Sequence, residues 1–577
     1  MTKSLPFGLF TRWAMPLALL GWVLLDWLGV RSLQWTLHSL SGLRLWVNLT
    51  LSVWVAWTLL TWFRGRQAWA QGALLALVAL SFFVQTAYFS VYEKYVGIFD
   101  LRFFLADPFM SLQLYGENGS ILRPLWVAAL GTALAAWVLK GPAVRVLSWY
   151  SAQALVGGVF FALLTVNWYS APNLQLAPVS FTSTLTRLLD IRVGKNASNS
   201  QQPKAQVPHQ VAAPQAPDIV WVIGESVNRQ HLNVYGYTRA TTPFLSSVKA
   251  KGGLRAFEDA LSVGPRTMVS VPYLLTGLQG IDPNGRIYQT PSVFNYAKAA
   301  GYTTALITSQ DFQWRNIDKL FVDSDLDFFR QGSDFSADVN VSVGANDQVM
   351  FERGIQRFLQ QSSTPGKPRL LVTQLSGSHP PFGQQVPAHQ KQFLPEETPN
   401  SINAYDNTIW YTDLFLQKLV SAVRAQRPNT WVFFTTDHGT HVTGEGNKFH
   451  GDLGEPVVRV PLVVIPPEGQ MKQLQANVGS PVAHADLLAT SLDLMGISPV
   501  KPIDGLSLRK PIPDQRLRVT TSYVITLHND PVAALDVAGR ERFDVNFEQN
   551  SVTNSQGQVM PYATWVPEYR AVFESKR

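Results

Sequence analysis

Five apolar stretches, about Ala14 to Val30, Leu45 to Phe63, Ala68 to Tyr88, Leu125 to Leu139 and Val146 to Trp168, crowd the first 170 residues of this chain. Their lengths scatter around the roughly 20 residues that a helix needs to cross a hydrocarbon layer about 30 Å thick. A bundle of five membrane-spanning helices is therefore predicted, since helices satisfy their own backbone polar groups in lipid. The first stretch is not expected to be a removable signal peptide, because Trp22, Asp26 and Trp27 stand where a small-residue cleavage site would lie. Thirteen of the 18 Trp occur by Trp168, many near segment ends (Trp13, Trp27, Trp46, Trp62, Trp69, Trp126, Trp149, Trp168), where interface anchors belong.

Charge sets the expected orientation. Lys3/Arg12, Arg64/Arg66 and Lys140/Arg145 place unopposed positive charge on the N-terminus and on the second and fourth connections, which are the inside candidates. An odd number of spans then sends everything after Trp168 outside. Residues 1–170 hold 11 Lys/Arg against 5 Asp/Glu, so nearly all of the chain's net +7 belongs to the membrane part. The remainder is almost neutral and shows no basic stripe, which argues against a nucleic-acid partner. Asp26 lies inside the first span and is either a contact for a cationic lipid headgroup or a carboxylate reaching the interface.

Leu174 to Ile191 would suit a surface-lying amphipathic helix in its second half. Lys195 to Pro217, rich in Asn, Ser, Gln, Ala and Pro, reads as a flexible linker. The expected domains are thus 1–170 (transmembrane), 171–217 (interfacial helix and linker) and 218–577 (soluble). From Asp218 onward β-rich runs (Ile219–Ile223, Thr303–Thr308, Arg369–Leu375, Thr430–Thr435, Val460–Ile465) alternate with helical candidates (Ser292–Ala300, Gln348–Gln360, Asn403–Arg424). That alternation predicts an α/β domain with a mostly parallel sheet covered on both faces. After Arg509, Leu517–Leu527, Val532–Val537 and Phe543–Phe547 predict a small antiparallel β appendage.

In such sheets ligands bind beyond the carboxyl ends of the strands. Those ends carry Gly224-Glu225-Ser226, Ser309-Gln310-Asp311, Ser376-Gly377-Ser378-His379 and Thr436-Asp437-His438-Gly439. Glu225, Asp437 and His438 supply two carboxylates and an imidazole, a ligand set suited to Zn²⁺ or Mn²⁺ with an open position. Cysteine is absent, which excludes thiolate zinc sites, iron–sulfur clusters and Cys nucleophiles, and beside such a metal a hydroxyl is the favoured protein nucleophile. Thr267 is favoured, in the Gly264-Pro265-Arg266-Thr267 turn before a helix. His379 and His450 could hold a substrate phosphate or act as acid and base. Taken singly, an Asp-His pair or a Thr in a Gly-Pro loop is more often a helix cap. Four of the ten His (His379, His438, His441, His450) fall in two short stretches after strands, and His231 and His528 are read as solvated. Spacing alone reaches a metal-assisted site in an α/β domain.

The run Ile223-Gly224-Glu225-Ser226 through Tyr235-Gly236-Tyr237-Thr238-Arg239 and Thr241-Thr242-Pro243 resembles the opening motif of bacterial phosphoethanolamine transferases that modify lipopolysaccharide, members of the alkaline phosphatase and sulfatase superfamily. The Thr267 segment with Ser270-Val271-Pro272, Ser378-His379, Asp406-Asn407-Thr408, Asp437-His438-Gly439 and His450-Gly451 follow in that family's order. The resemblance implies an inner-membrane protein with a periplasmic catalytic domain of that superfamily's fold. It implies Zn²⁺, one ion or two, bound by Glu225, Thr267, Asp437 and His438, with Thr267 as nucleophile and His379 and His450 at phosphate or second-metal positions. It also implies a ping-pong reaction: Thr267 takes phosphoethanolamine from phosphatidylethanolamine, diacylglycerol leaves, and a lipopolysaccharide (lipid A or core) or related glycan hydroxyl accepts the group. Val263 and Tyr273 stand where several family members have a disulfide, so packing must hold the nucleophile loop here, and Thr440 stands where the family usually has Glu.

Alternatives from the same superfamily are a phosphoglycerol transferase or a phosphodiesterase or sulfatase-like hydrolase. Gly264-Pro265-Arg266-Thr267 does not fit the Cys/Ser-X-Pro-X-Arg motif of sulfatases. From another class comes an inactive lipid-binding regulator, which would have no need of Glu225, Thr267, Asp437 and His438 together.

Overall fold

The computed structural model describes residues 7–31, 43–92, 95–96, 101, 121–141, 157–158, 175–188, 204–210, 215–280, 286–312, 317–336, 344–362, 366–443, 449–522, 532–537, 541–546 and 551–574. The chain divides into two units, Met1–Asn196 and Ala197–Arg577.

In the first unit, four helices among the described residues are long and apolar enough to cross a membrane, over Trp13–Val30, Trp46–Phe63, Ala68–Ser90 and Leu122–Leu139. They lie in α1 (Phe7–Leu24, continued as a π-helical turn Leu25–Val30), α2 (Leu43–Phe63), α3 (Ala68–Tyr92) and α4 (Leu122–Leu139). The fifth predicted span, Val146–Trp168, lies outside the described residues except for 157–158. A further helix, α5 (Ala177–Leu188), covers the expected amphipathic segment. Instead of lying along a surface it packs inside the unit: Val179, Phe181, Ser180, Ser183 and Thr184 are buried, and Gln85 of α3 donates to Ser180 Oγ at 3.3 Å.

Asp26 matches neither sequence expectation, because protein groups fully engage it. It is 0% and Arg31 is 1% exposed, with Arg31 Nε 2.8 Å from Asp26 Oδ2. Asp26 Oδ1 accepts from the Tyr95 hydroxyl at 2.5 Å and from the Ala177 backbone N–H at 2.8 Å. Arg31 also donates to the Gln175 carbonyl at 2.7 Å, so one buried ion pair pins the end of the first span to the start of α5. Removing one partner of such a pair strands the other charge at a cost of about 3 kcal/mol or more. Asp26→Ala is therefore expected to shorten the thermal half-life of the detergent-purified protein sharply. A half-life equal to wild type would show that the pair does not hold this unit together.

The second unit is built on a seven-stranded sheet of order β2-β8-β7-β1-β6-β4-β5. Its strands are β1 (Asp218–Gly224), β2 (Arg255–Ala256), β4 (Thr303–Thr308), β5 (Phe328–Arg330), β6 (Arg369–Gln374), β7 (Thr430–Thr436) and β8 (Leu462–Ile465). The small pair β3 (Ala260–Leu261) and β9 (Val482–Ala483) stands apart. The central strands run parallel, with Ile223 opposite Gln374 on β6 and Thr435 on β7. β8 runs antiparallel to β7, and β2 antiparallel to β8. Alternate β1 residues serve different cores: Ile219, Trp221 and Ile223 enter one apolar cluster, Val220 and Val222 the other. A sheet buried on both faces requires such apolar runs.

Residues 204–210 of the predicted flexible linker lie on this unit. Ala205 N–H donates to the Gln289 carbonyl at 2.9 Å and Gln210 N–H to the Ala299 carbonyl at 2.7 Å, while Val207 packs against the core. The C-terminal appendage is a five-stranded antiparallel sheet of β10 (Leu517–Thr521), β11 (Val532–Val537), β12 (Glu541–Asn546), β13 (Ser551–Asn554) and β14 (Val559–Pro561). Its apolar face shares a cluster with Val263, Val269 and Tyr273 around the Thr267 segment. Thr521 N–H donates to the Val263 carbonyl at 3.0 Å. At Gly264 a Cβ would fall 2.4 Å from Val269 Cγ1 and 3.1 Å from the Thr521 carbonyl oxygen, so only glycine permits this approach. Packing against the appendage braces the loop where a disulfide is absent.

Candidate functional site

Four neighbouring strands, β7, β1, β6 and β4, end at one edge of the sheet. Glu225 follows β1, Asp437 and His438 follow β7, Gln310 follows β4, and His379 follows β6. Thr267 opens α6 (Thr267–Thr276), with Arg266 as the residue before its first turn. The Thr267 hydroxyl lies 2.6 Å from Asp437 Oδ2 and 3.2 Å from Glu225 Oε2. It is buried. His438 Nε2 lies 3.5 Å from both Glu225 Oε1 and Asp437 Oδ2. Glu225, Asp437 and His438 each offer a ligand atom within 4.8 Å of the others, and all three are buried.

The neighbours orient these groups. Gln310 donates to Glu225 Oε2 at 2.6 Å, and Ser226 Oγ to Glu225 Oε1 at 2.7 Å. Asp437 Oδ1 accepts from the backbone N–H of Ser226 at 3.2 Å and of His438 at 2.8 Å. Ser226 has φ +57°, the one positive φ at a non-glycine among the described residues. Strain of this kind persists where surrounding contacts over-determine it, here the two carboxylates that Ser226 bridges. Tyr405 holds the same turn by donating to the Ser226 carbonyl at 2.9 Å.

The charge balance suits a cation. His438 Nδ1 lies 2.8 Å from the Gly439 carbonyl, which assigns its proton to Nδ1 and leaves a lone pair on Nε2. That buried Nε2 has no hydrogen-bond partner. Two buried carboxylates share one hydroxyl proton, and burial and the adjoining Glu225 push Asp437 up to about 7 from its ordinary 3.8. An orphaned imidazole nitrogen facing crowded carboxylates and a hydroxyl fits a divalent ion.

The remaining predicted residues fall around this cluster. The rings of His438 and His450 lie 4.6 Å apart and those of His379 and His450 5.9 Å apart. Burial, with His438 and His379 adding to it, holds His450 well below its ordinary value and hence neutral. His379 Nδ1 lies 2.8 Å from the Pro380 carbonyl. His441 does not join them; it pairs with Asp452 at 3.0 Å. His231, read as solvated, instead pairs with Asp406 at 2.8 Å, and Tyr237 and Arg239 reach the same carboxylate. Asp406, on α7 (Ile402–Gln426), thus gathers the loop that follows the Glu225 turn. Thr440 serves its backbone neighbours, donating to the Phe449 carbonyl at 2.9 Å and accepting from Asn228 at its own carbonyl. Gln310 and Ser226 were visible in sequence only as members of strand-end segments.

Residues 217–497 match the sulfatase family model. The chain is 25% identical over 362 residues to the phosphoethanolamine transferase EptC of Escherichia coli (strain K12), covering 59% of this chain and 60% of that protein. It is 24% identical over 347 residues to the Kdo(2)-lipid A phosphoethanolamine 7''-transferase of the same strain, covering 55% and 59%. These matches span about 60% of the length of those relatives. Among solved structures, the integral membrane protein lipooligosaccharide phosphoethanolamine transferase A (EptA) from Neisseria meningitidis superposes with a TM-score of 0.59 at 17% identity, covering 84% of this chain and 95% of that one. The chain therefore resembles the phosphoethanolamine transferases and shares the fold of the Neisseria meningitidis structure.

Proposed function

We propose that this chain, with its sulfatase-family domain, is a zinc-dependent transferase moving phosphoethanolamine from phosphatidylethanolamine to a lipopolysaccharide (lipid A or core) or related glycan. The observation that carries the reading is the convergence of the Thr267 hydroxyl, two buried carboxylates and an open imidazole nitrogen. The names of the relatives supply the transferred group. Glu225, Asp437, His438 and Thr267 would hold one zinc ion, which supplies Lewis acidity that lowers the hydroxyl pKa and neutralises charge on a phosphoryl oxygen.

In the first half-reaction Thr267 Oγ1 forms a bond to the phosphorus of the donor as the bond to the diacylglycerol oxygen breaks. Diacylglycerol leaves with a proton. In the second, an acceptor hydroxyl oxygen forms a bond to the phosphorus as the bond to Thr267 Oγ1 breaks, and the acceptor's proton passes to Thr267 Oγ1, restoring its hydroxyl. Asp437 Oδ2, 2.6 Å from Thr267 Oγ1, orients the hydroxyl. His450, held neutral, and His379 beside it serve the proton transfers and phosphate contacts of the two halves. The apolar helices tether the chain to the inner membrane, with the N-terminus inside and residues 218–577 on the periplasmic side, so lipid-borne donor and acceptor share its membrane.

The test is diacylglycerol release by the detergent-purified chain given phosphatidylethanolamine or, separately, phosphatidylglycerol. Release from the first alone is expected; release only from the second would overturn the donor. A second prediction concerns Gln310. Gln310→Ala removes the amide that fixes Glu225, and lost partners of metal ligands typically cost about 10- to 100-fold in metal affinity. Zinc affinity by competition with a chelating dye should fall by that factor; no change would mean that Gln310 does not support the ligand set.

A further inference from the structure

Arg266 precedes Thr267 and is exposed. A Cβ built on Gly451 would fall 2.8 Å from Arg266 Nε and 2.9 Å from its NH2, so the guanidinium lies directly against the residue that follows His450. Gly451 also has φ +104°, and both facts exclude a side chain there. Among the described residues this guanidinium has no hydrogen bond or ion pair. Asp452, the carboxylate whose charge acts on it, is committed to His441 at 3.0 Å and to the Gly454 backbone N–H at 2.7 Å. Among the described residues, a guanidinium without a hydrogen bond or ion pair thus belongs to the residue before Thr267 and lies against the residue after His450.

Resting on the transferase reading above, we infer that Arg266 recognises a phosphate oxyanion of the substrate. Its planar fork matches a phosphate bidentately, which neither His379 nor His450 can do. The oxyanion belongs either to the donor phosphodiester or to a phosphate on the acceptor glycan. Arg266 touches substrate in both cases, and the two half-reactions separate the sources.

The experiment uses the full chain with zinc content and melting temperature measured for wild type, Arg266→Gln and Arg266→Lys. Binding of inorganic phosphate, read by titration calorimetry, is expected to weaken about 10- to 100-fold in Arg266→Gln and to recover in part in Arg266→Lys. Phosphate affinity in Arg266→Gln equal to wild type overturns the inference, whatever the kinetics do. With binding weakened, slower diacylglycerol release assigns the oxyanion to the donor; normal release with slower transfer and a raised acceptor KM assigns it to the acceptor. The phosphate measurement does not need the reaction. Wild type that binds phosphate through Arg266 but releases no diacylglycerol from either phospholipid would sink the transferase reading and leave the anion site standing.

Discussion

Thr267→Ala is expected to abolish both diacylglycerol release and group transfer, with a fall on the order of 10⁴-fold or more, the scale seen when a covalent nucleophile is removed. The buried position of the hydroxyl makes the fold harder to protect than exposure would. Alanine leaves Asp437 Oδ2 without the donor 2.6 Å away and deletes one of four candidate ligand atoms. Thr267→Ser keeps the hydroxyl and separates the two effects: it should retain measurable turnover and normal zinc content. Full activity in Thr267→Ala would refute the nucleophile assignment, and equal inactivity of both variants with normal zinc would show that shape, not the hydroxyl, is what matters.

His438→Ala and Asp437→Asn are expected to lower bound zinc from stoichiometric to trace and activity with it, because each leaves only two of the three carboxylate and imidazole donors beside a weakly binding neutral hydroxyl. The pH dependence carries a sign. Asp437 is pushed up to about 7 from 3.8 in the metal-free fold, so that fold binds its proton more tightly than the unfolded chain does. Its stability then falls as pH rises between those values, and a metal that displaces the proton binds more weakly as pH drops. Zinc affinity measured from pH 8 down to pH 6 should decline in wild type. Unchanged zinc content in both variants would overturn the ligand set.

The periodicity of the soluble half carried the sheet well, because a strand buried on both faces must be apolar throughout; Thr303–Thr308 appears as read. The same property hid the direction of β8, since an apolar run looks alike whichever way it points. The strand-end rule brought Glu225, Asp437 and His438 into one neighbourhood because parallel strands display their carboxyl ends together. Thr267 came from a turn signature, and its distances to the two carboxylates are facts of tertiary packing. What sequence hid was pairing across long separations. Asp26 is held by Tyr95 and Ala177 as well as by nearby Arg31, and His231 by Asp406, 175 residues away. Local pattern offers no signal for such partners. Nor does local pattern show that the appendage shares its core with Val263, Val269 and Tyr273.

In the proposed reaction Thr267 carries the transferred group. Intact-mass analysis of the purified chain after incubation with phosphatidylethanolamine, without acceptor, tests it most directly. A phosphoethanolamine adduct is expected that maps to Thr267, is absent from Thr267→Ala and appears together with free diacylglycerol. Diacylglycerol release with an adduct on another residue, or with no adduct and free phosphoethanolamine in solution under conditions that trap the intermediate, would contradict it.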